Sequence, residues 1–299
     1  MSNSINSSAD SFLVNISRLQ ARVDRAQEQI SSGLRITKAS DDPDQVGAIL
    51  QATSDLARNI QIGRNLDRVK AEVDGSEQAL STAITTLERA SVLGAQGANF
   101  SQDAASRRGI AIEVQSLLER LVANANTTVD NRYVFAGDSD QIAPYAVDLT
   151  TVTGTTPYTG SAATREVEDP RGGTFPISQS AQEIFDAPGT SVFAAVNALR
   201  VALETNDEAG ITASLNDLKI AHGHLSDSLS FYGTVQNEVA DGARVVSALT
   251  LRLTTSLTDL READVAEAST ELVHARFHLE AAFSARARSP RTSLFDYLG

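Results

Sequence analysis

DPDQVGAILQATSDLARNIQIGRNLDRVKAEVDGSEQALSTAITTLERASVLGAQG, residues 42–97, holds a single proline, at its second position. A helix tolerates proline in its first turn, where the missing N–H has no intrahelical partner to lose. Asp42 suits the N-cap, Asp44 meets the positive dipole end, and Gln45 stands where a capping box wants its acceptor. Val46, Ile49, Thr53, Leu56, Ile60 and Gly63 then recur at steps of three and four. After one phase shift the rhythm resumes as Leu66, Val69, Val73, Ser76, Leu80, Ala83, Leu87 and Ala90. Steps of this kind put one residue set on one face of a helix. A helix over 43–97 would run roughly 80 Å at about 1.5 Å per residue. The sequence therefore predicts an elongated, mainly α chain.

Working outward, Ile16, Leu19, Val23, Ala26 and Ile30 form an earlier stripe that ends near Gly33, a good C′ residue. Downstream, Asp103 can cap a helix carrying Ile110, Val114, Leu117, Leu121, Ala125 and Thr128, expected to fold back antiparallel on its predecessor. Helix returns at Phe193, Val196, Leu199 and Leu203, breaks over 206–210, and resumes with Val235, Val239, Gly242, Val246, Leu249, Leu253, Ser256 and Leu260. A hinge at Glu262-Ala263-Asp264 precedes a last stripe of Val265, Ala268, Leu272, Ala275, Leu279 and Ala282. Five of the seven prolines fall within 144–188, where periodicity gives way to Thr, Gly, Pro and Tyr, and where Tyr133-Val134-Phe135 and Arg165-Glu166-Val167-Glu168 alternate as strands do. Residues 138–189 hold two arginines against eight carboxylates, which reads as a small, acidic, exposed β-rich insert. The expected organisation is an N-terminal helix over 1–42, half of a helical rod over 43–131, the insert over 132–189, the second half of the rod over 190–260, and a C-terminal helix and tail over 261–299. The terminal stripes cannot satisfy their apolar faces alone, so they must pack on each other or on neighbouring chains.

Composition narrows the function. There is no cysteine, which excludes a disulfide scaffold, a Cys-ligated metal and a thiol nucleophile. A formal charge of −13 gives no support to nucleic-acid binding. No run of 18 apolar residues suggests membrane insertion, and the polar opening MSNSINSSADSF lacks the features of a cleaved secretory signal. His274 and His278 stand at i and i+4, but Ala275-Arg276-Phe277 between them supplies no Glu, so the zinc-hydrolase pattern fails. His222 and His224 flank Gly223 with no carboxylate beside them. Asp138-Ser139-Asp140 lacks the rest of a calcium loop, and no phosphate-binding, dinucleotide or nucleophile-elbow motif occurs. No metal, no cofactor and no enzymatic activity are expected.

Ile30-Ser31-Ser32-Gly33-Leu34-Arg35-Ile36, followed by Ala39-Ser40-Asp41-Asp42-Pro43, resembles the amino-terminal signature of the bacterial flagellin family, carried by Ser32, Gly33, Arg35, Asp41, Asp42 and Pro43. Glu113 to Asn131 and residues 259–284 are similar to further flagellin segments. Asn131-Arg132-Tyr133-Val134-Phe135-Ala136-Gly137 and the closing Ser293-Leu294-Phe295-Asp296-Tyr297-Leu298 look like the hook-associated branch of that family. The resemblance implies a structural role between hook and filament, with a short flagellin as the alternative. It implies export through the flagellar type III channel to an extracellular flagellum. The implied partners are copies of the chain itself in a ring or helical layer, a preceding hook-associated protein, flagellin and an export chaperone. Ile16, Leu19, Val23 and Ile30 on the first helix, and Val265, Leu272, Leu279 and Phe283 on the last, are the expected assembly interface. The terminal helices are expected to be loosely folded in the monomer and to order on assembly as an inner coiled-coil layer.

Overall fold

A computed structural model of the chain describes residues 2–288, with side chains from residue 10 onward. Pro290 and the closing segment 293–298 lie outside the described residues. Seven helices, α1 (Ser2–Ser32), α2 (Pro43–Gly97), α3 (Ala104–Ala125), α4 (Ala181–Phe185), α5 (Val192–Glu204), α6 (Glu208–Arg261) and α7 (Val265–Arg288), carry most of the described chain. Strands β1 (Thr128–Val129) and β2 (Arg132–Tyr133) form one antiparallel ribbon, and β3 (Glu166–Glu168) and β4 (Thr174–Pro176) form another. Contacts divide the chain into two units, residues 58–249 and residues 1–57 with 250–299; the boundary falls inside α2 and inside α6.

Within 58–249, α2 and α6 run antiparallel: the Asn59 amide donates to the Val246 carbonyl at 2.8 Å, and Gln236 donates to Asp74 at 3.0 Å. Asp103 caps α3 by accepting from the Ser106 N–H, as its position predicted. α3 then folds back on α2, marked by the Arg89–Glu113 pair at 2.6 Å, and packs on α5. The α2 stripe from Leu66 to Ala90 is buried throughout. Upstream of the phase shift the expected face is off by one position: Thr53 and Ile60 are exposed, while Ala52, Asn59 and Ile62 are buried. The reason is that an amide with a backbone partner costs little to bury, so Asn59 occupies a core position that apolar periodicity does not mark. The break before α6 is also shorter than expected, since Gly210 already lies in the helix.

Sequence patterning reads 132–189 as exposed strands. In the structure β2 stops at Tyr133, and Val134, Phe135 and Ala136 are buried. Phe135 meets Phe185 and Tyr232 edge-on, Phe185 stacks on Phe193 with ring centroids 5.6 Å apart, and Tyr145 meets Phe193 at 5.0 Å. Such aromatic pairs add about 0.5–1.5 kcal/mol each beyond the area they bury. The segment is therefore part of one core with α2, α3, α5 and α6. Most of it is irregular because the aromatics, not a strand ladder, hold it down. Arg165 also reaches Glu72 of α2 at 2.9 Å with both side chains largely buried. The Tyr232 hydroxyl accepts from the Gln179 N–H at 3.1 Å, and burial pushes its pKa up to about 12.

The unit of 1–57 and 250–299 is built differently. α1 and α7 are antiparallel partners, joined by Arg22–Glu271 at 2.6 Å and by the edge-on rings of Phe12 and Phe283. Its fully buried apolar residues, among those described, are Ile16, Ala26, Ile36, Ala52, Ala268 and Ala275. Four of these six are alanine, so little apolar area is withdrawn from water.

Candidate assembly surface

Two elbows organise the terminal unit. The first joins α1 to α2. Gly33, with φ of +70°, takes the left-handed conformation that ends α1. The Ser32 hydroxyl donates to the Glu28 carbonyl at 2.7 Å and accepts from the Leu34 N–H at 3.1 Å. The second elbow joins α6 to α7, where Asp264 caps α7 by accepting from the N–H groups of Ala266 and Glu267. The two elbows are stitched by their backbones: Arg35 N–H donates to Arg261 at 2.7 Å, Ala263 N–H donates to Gly33 at 2.9 Å, and Leu34 lies opposite Glu262.

The Arg35 side chain completes the stitch. It donates to Asp42 at 3.2 Å, to Gln45 at 3.0 Å and to the Leu260 carbonyl at 3.0 Å. The expected capping box of Asp42 and Gln45 is thus replaced by a cation that uses both side chains, and Arg35 rests against the negative end of α6 as well. Pro43 opens α2 as its position predicted. Asp41 accepts from the Lys38 N–H at 2.8 Å and the Thr37 N–H at 3.0 Å. These two backbone bonds, Lys38 first, hold its carboxyl below the usual 3.8, helped by Arg25.

A group with a lowered folded pKa stabilises above its ordinary value and loses that contribution as pH falls through the folded one. The amide resonances of Thr37 and Lys38 should therefore titrate together with a midpoint below 3.8, and Asp41→Asn should abolish that titration. A midpoint at or above the ordinary value would show that the elbow does not use the carboxylate.

The predicted interface residues divide into two sets. Ile16 is buried, and Leu19, Val23, Ile30, Leu272 and Leu279 are half-buried, on the side where α1 and α7 face each other. Val265 and Phe283 are exposed. Much of the outward apolar surface comes from residues that the stripes leave out: Leu13, Val14, Val273 and Phe277 are all exposed, Phe277 at 67%. Apolar residues off an amphipathic stripe are the signal that sequence reading passed over. His274 and His278 are exposed on α7. Among the described residues no helix is long and apolar enough to cross a membrane.

Residues 4–140 match the bacterial flagellin N-terminal helical region. The amino-terminal part of the chain is thus similar to bacterial flagellin. It is 25% identical to flagellar hook-associated protein 3 of Escherichia coli over 94% of both chains. It is 32% identical to the protein of the same name in Salmonella typhimurium over 44% of this chain and 41% of that one. Flagellin B of Helicobacter pylori is 35% identical over 35% of this chain but only 20% of its own length. Among solved structures, a flagellar hook-associated protein from Vibrio parahaemolyticus matches 74% of this chain and all of its own with a TM-score of 0.66, and hook associated protein-3 from Legionella pneumophila matches 72% and 99% with 0.61. These structures, at 22% and 15% identity, share the fold of this chain. Ser32, Gly33, Arg35, Asp41, Asp42 and Pro43 together build the elbow between α1 and α2.

Proposed function

We infer that the chain is a structural subunit of the bacterial flagellum that joins hook to filament. The observation that carries this reading is the alignment with hook-associated protein 3 of E. coli, which runs through 94% of each chain, whereas flagellin B of H. pylori aligns over 35% of this chain and 20% of its own. The geometry supplies a mechanism. Residues 58–249 own a large core, while the terminal unit buries few apolar side chains and leaves Leu13, Val14, Val273 and Phe277 outward. A helix pair with so little buried area holds itself weakly, and a neighbouring copy that covers the outward residues adds what is missing. The terminal helices then order as an inner layer. The preceding hook-associated protein and flagellin are the partners at the two ends, and an export chaperone covers α7 before assembly. No catalytic step belongs to this role.

Hydrogen exchange on the purified monomer should find residues 10–57 and 250–288 exchanging at least ~100-fold faster than buried amides of 66–121. Equal protection would remove the premise of coupled ordering. Phe277→Asp should leave thermal unfolding of the 58–249 unit unchanged yet abolish incorporation into flagella, read by western blot of sheared filaments. Epitope-tagged chain on isolated flagella should form a single short band at the hook–filament boundary. Label spread along the filament would instead identify a short flagellin.

A further inference from the structure

The helical end of the 58–249 unit has two unlike sides. α2 packs on α6, as Leu215 against Gly94 shows; α3 folds back on α2; α3 packs on α5; and α5 and α6 together line a groove. The cyclic order is thus α2, α3, α5, α6, which puts the α2–α3 face opposite the α5–α6 face. The first side is a projection. Phe100, on the turn between α2 and α3, is 90% exposed, and Val92 and Ile112 are exposed on the same two helices. The second side is a hollow of about 560 Å³ with an apolar lining that includes Leu149, Val152, Ala198 and Val201.

The charges match across the two sides. Arg108, one turn before Ile112, is exposed and has no carboxylate partner among the described residues. Asp207 and Asp217 line the hollow and are likewise without an ion pair there. Projection and hollow also lie at one end of the unit. Arg107 ties the Phe100 turn to the α5–α6 turn by bonding the Asn99 carbonyl, Asn206 and Glu208.

We propose that the α5–α6 groove of one copy receives the Phe100 turn and the outer α2–α3 face of the next copy. This inference rests on the reading of the chain as a self-assembling subunit and specifies its partner surface. Complementary patches on opposite sides make a heterologous contact, which repeats from copy to copy and closes into a ring or continues as a helix. Because both patches lie at the same end, adjacent copies stand side by side. The apolar contact supplies area, and Arg108 against Asp207 and Asp217 sets which face meets which.

The chain has no cysteine, so introduced thiols report this contact alone. A full-length Phe100→Cys, Val201→Cys double variant, mildly oxidised both on isolated flagella and as concentrated purified protein, should give a ladder of trimers and larger species. Each single variant should give dimers at most. Asp217→Arg should weaken self-association at least about tenfold, and adding Arg108→Glu should restore most of it. These residues are exposed, so unchanged thermal unfolding is the check on folding. Dimers only, or no cross-link, in both preparations overturns the interface. A ladder in solution from a chain that is missing from flagella sinks the hook–filament assignment and leaves the interface standing. A chain on flagella that yields no ladder in either preparation does the reverse.

Discussion

Replacing Arg107 by alanine is expected to lower the stability of the 58–249 unit by about 2–4 kcal/mol, the range for stripping a charged hydrogen-bond network from a buried site. The Arg107 side chain is 2% exposed, and its guanidinium donates to the Gly97 carbonyl at 2.9 Å, to Asn206 at 2.7 Å and to Glu208 at 2.8 Å. One side chain thus finishes the C-terminal end of α2, where a cation is favoured by the helix dipole, and fixes the turn that starts α6. Alanine would leave the Gly97 carbonyl and the Asn206 amide oxygen without their donor and open a cavity. Glu208 is largely solvated, so its released charge costs little, which keeps the effect below that of a fully buried pair. For a unit of this size the loss corresponds to roughly 4–16 °C in melting temperature. Lysine should recover less than half, because it cannot reach three acceptors in a plane. A melting curve indistinguishable from that of the parent would remove Arg107 from this role.

Gly137→Ala should be at least as damaging, with an expected loss of about 3 kcal/mol or more. Gly137 has φ of +61°, and a Cβ there would lie 2.3 Å from the Ser161 carbonyl oxygen and 2.9 Å from that of Ala163. Both obstacles are backbone, so no rotamer change relieves them. The left-handed conformation alone costs a substituted residue about 1–2 kcal/mol, and displacing 161–163 would break the Ser161 N–H bond to Ala136 and the Tyr158 bond to the Ser161 carbonyl. Gly189 supplies the control. Its φ is +82°, but nothing lies within 4 Å of the place a Cβ would occupy, so Gly189→Ala should cost only the conformational share, about 1 kcal/mol. Chemical denaturation of the two variants side by side separates strain from collision.

These two residues also show what was legible in the sequence. The helices were, because a three-and-four rhythm over tens of residues admits one period: α2, α3, α5 and α7 begin and end within a few residues of the predicted positions. Arg107 was half-legible. It stands three residues before Ile110 on the α3 stripe, and a cation on an apolar stripe announces a buried charge, but nothing local says that its partners come from residues 97 and 206–208. The Asp42 and Gln45 pair was misread for the same reason, since the competing cation lies seven residues upstream and its third partner is at 260. In 132–189 the turns were visible and the burial was not. Aromatic residues spaced irregularly reveal no face until the chain that they pack against is known.

The stitched elbows at 33–35 and 261–263 carry a consequence for how such chains can change length. Backbone pairing at that point fixes α1 against α7 by N–H and C=O groups that every residue but proline has, so no substitution short of proline at Arg35 or Ala263 removes that pairing. An insertion of one turn in α1 has to be answered by one in α7 or it displaces every facing pair beyond it. The irregular stretch near residues 146–163 and the ribbon turn at Asp169–Gly173 have no such constraint. Length differences between this chain and its relatives should accumulate there and be absent from the two terminal helices.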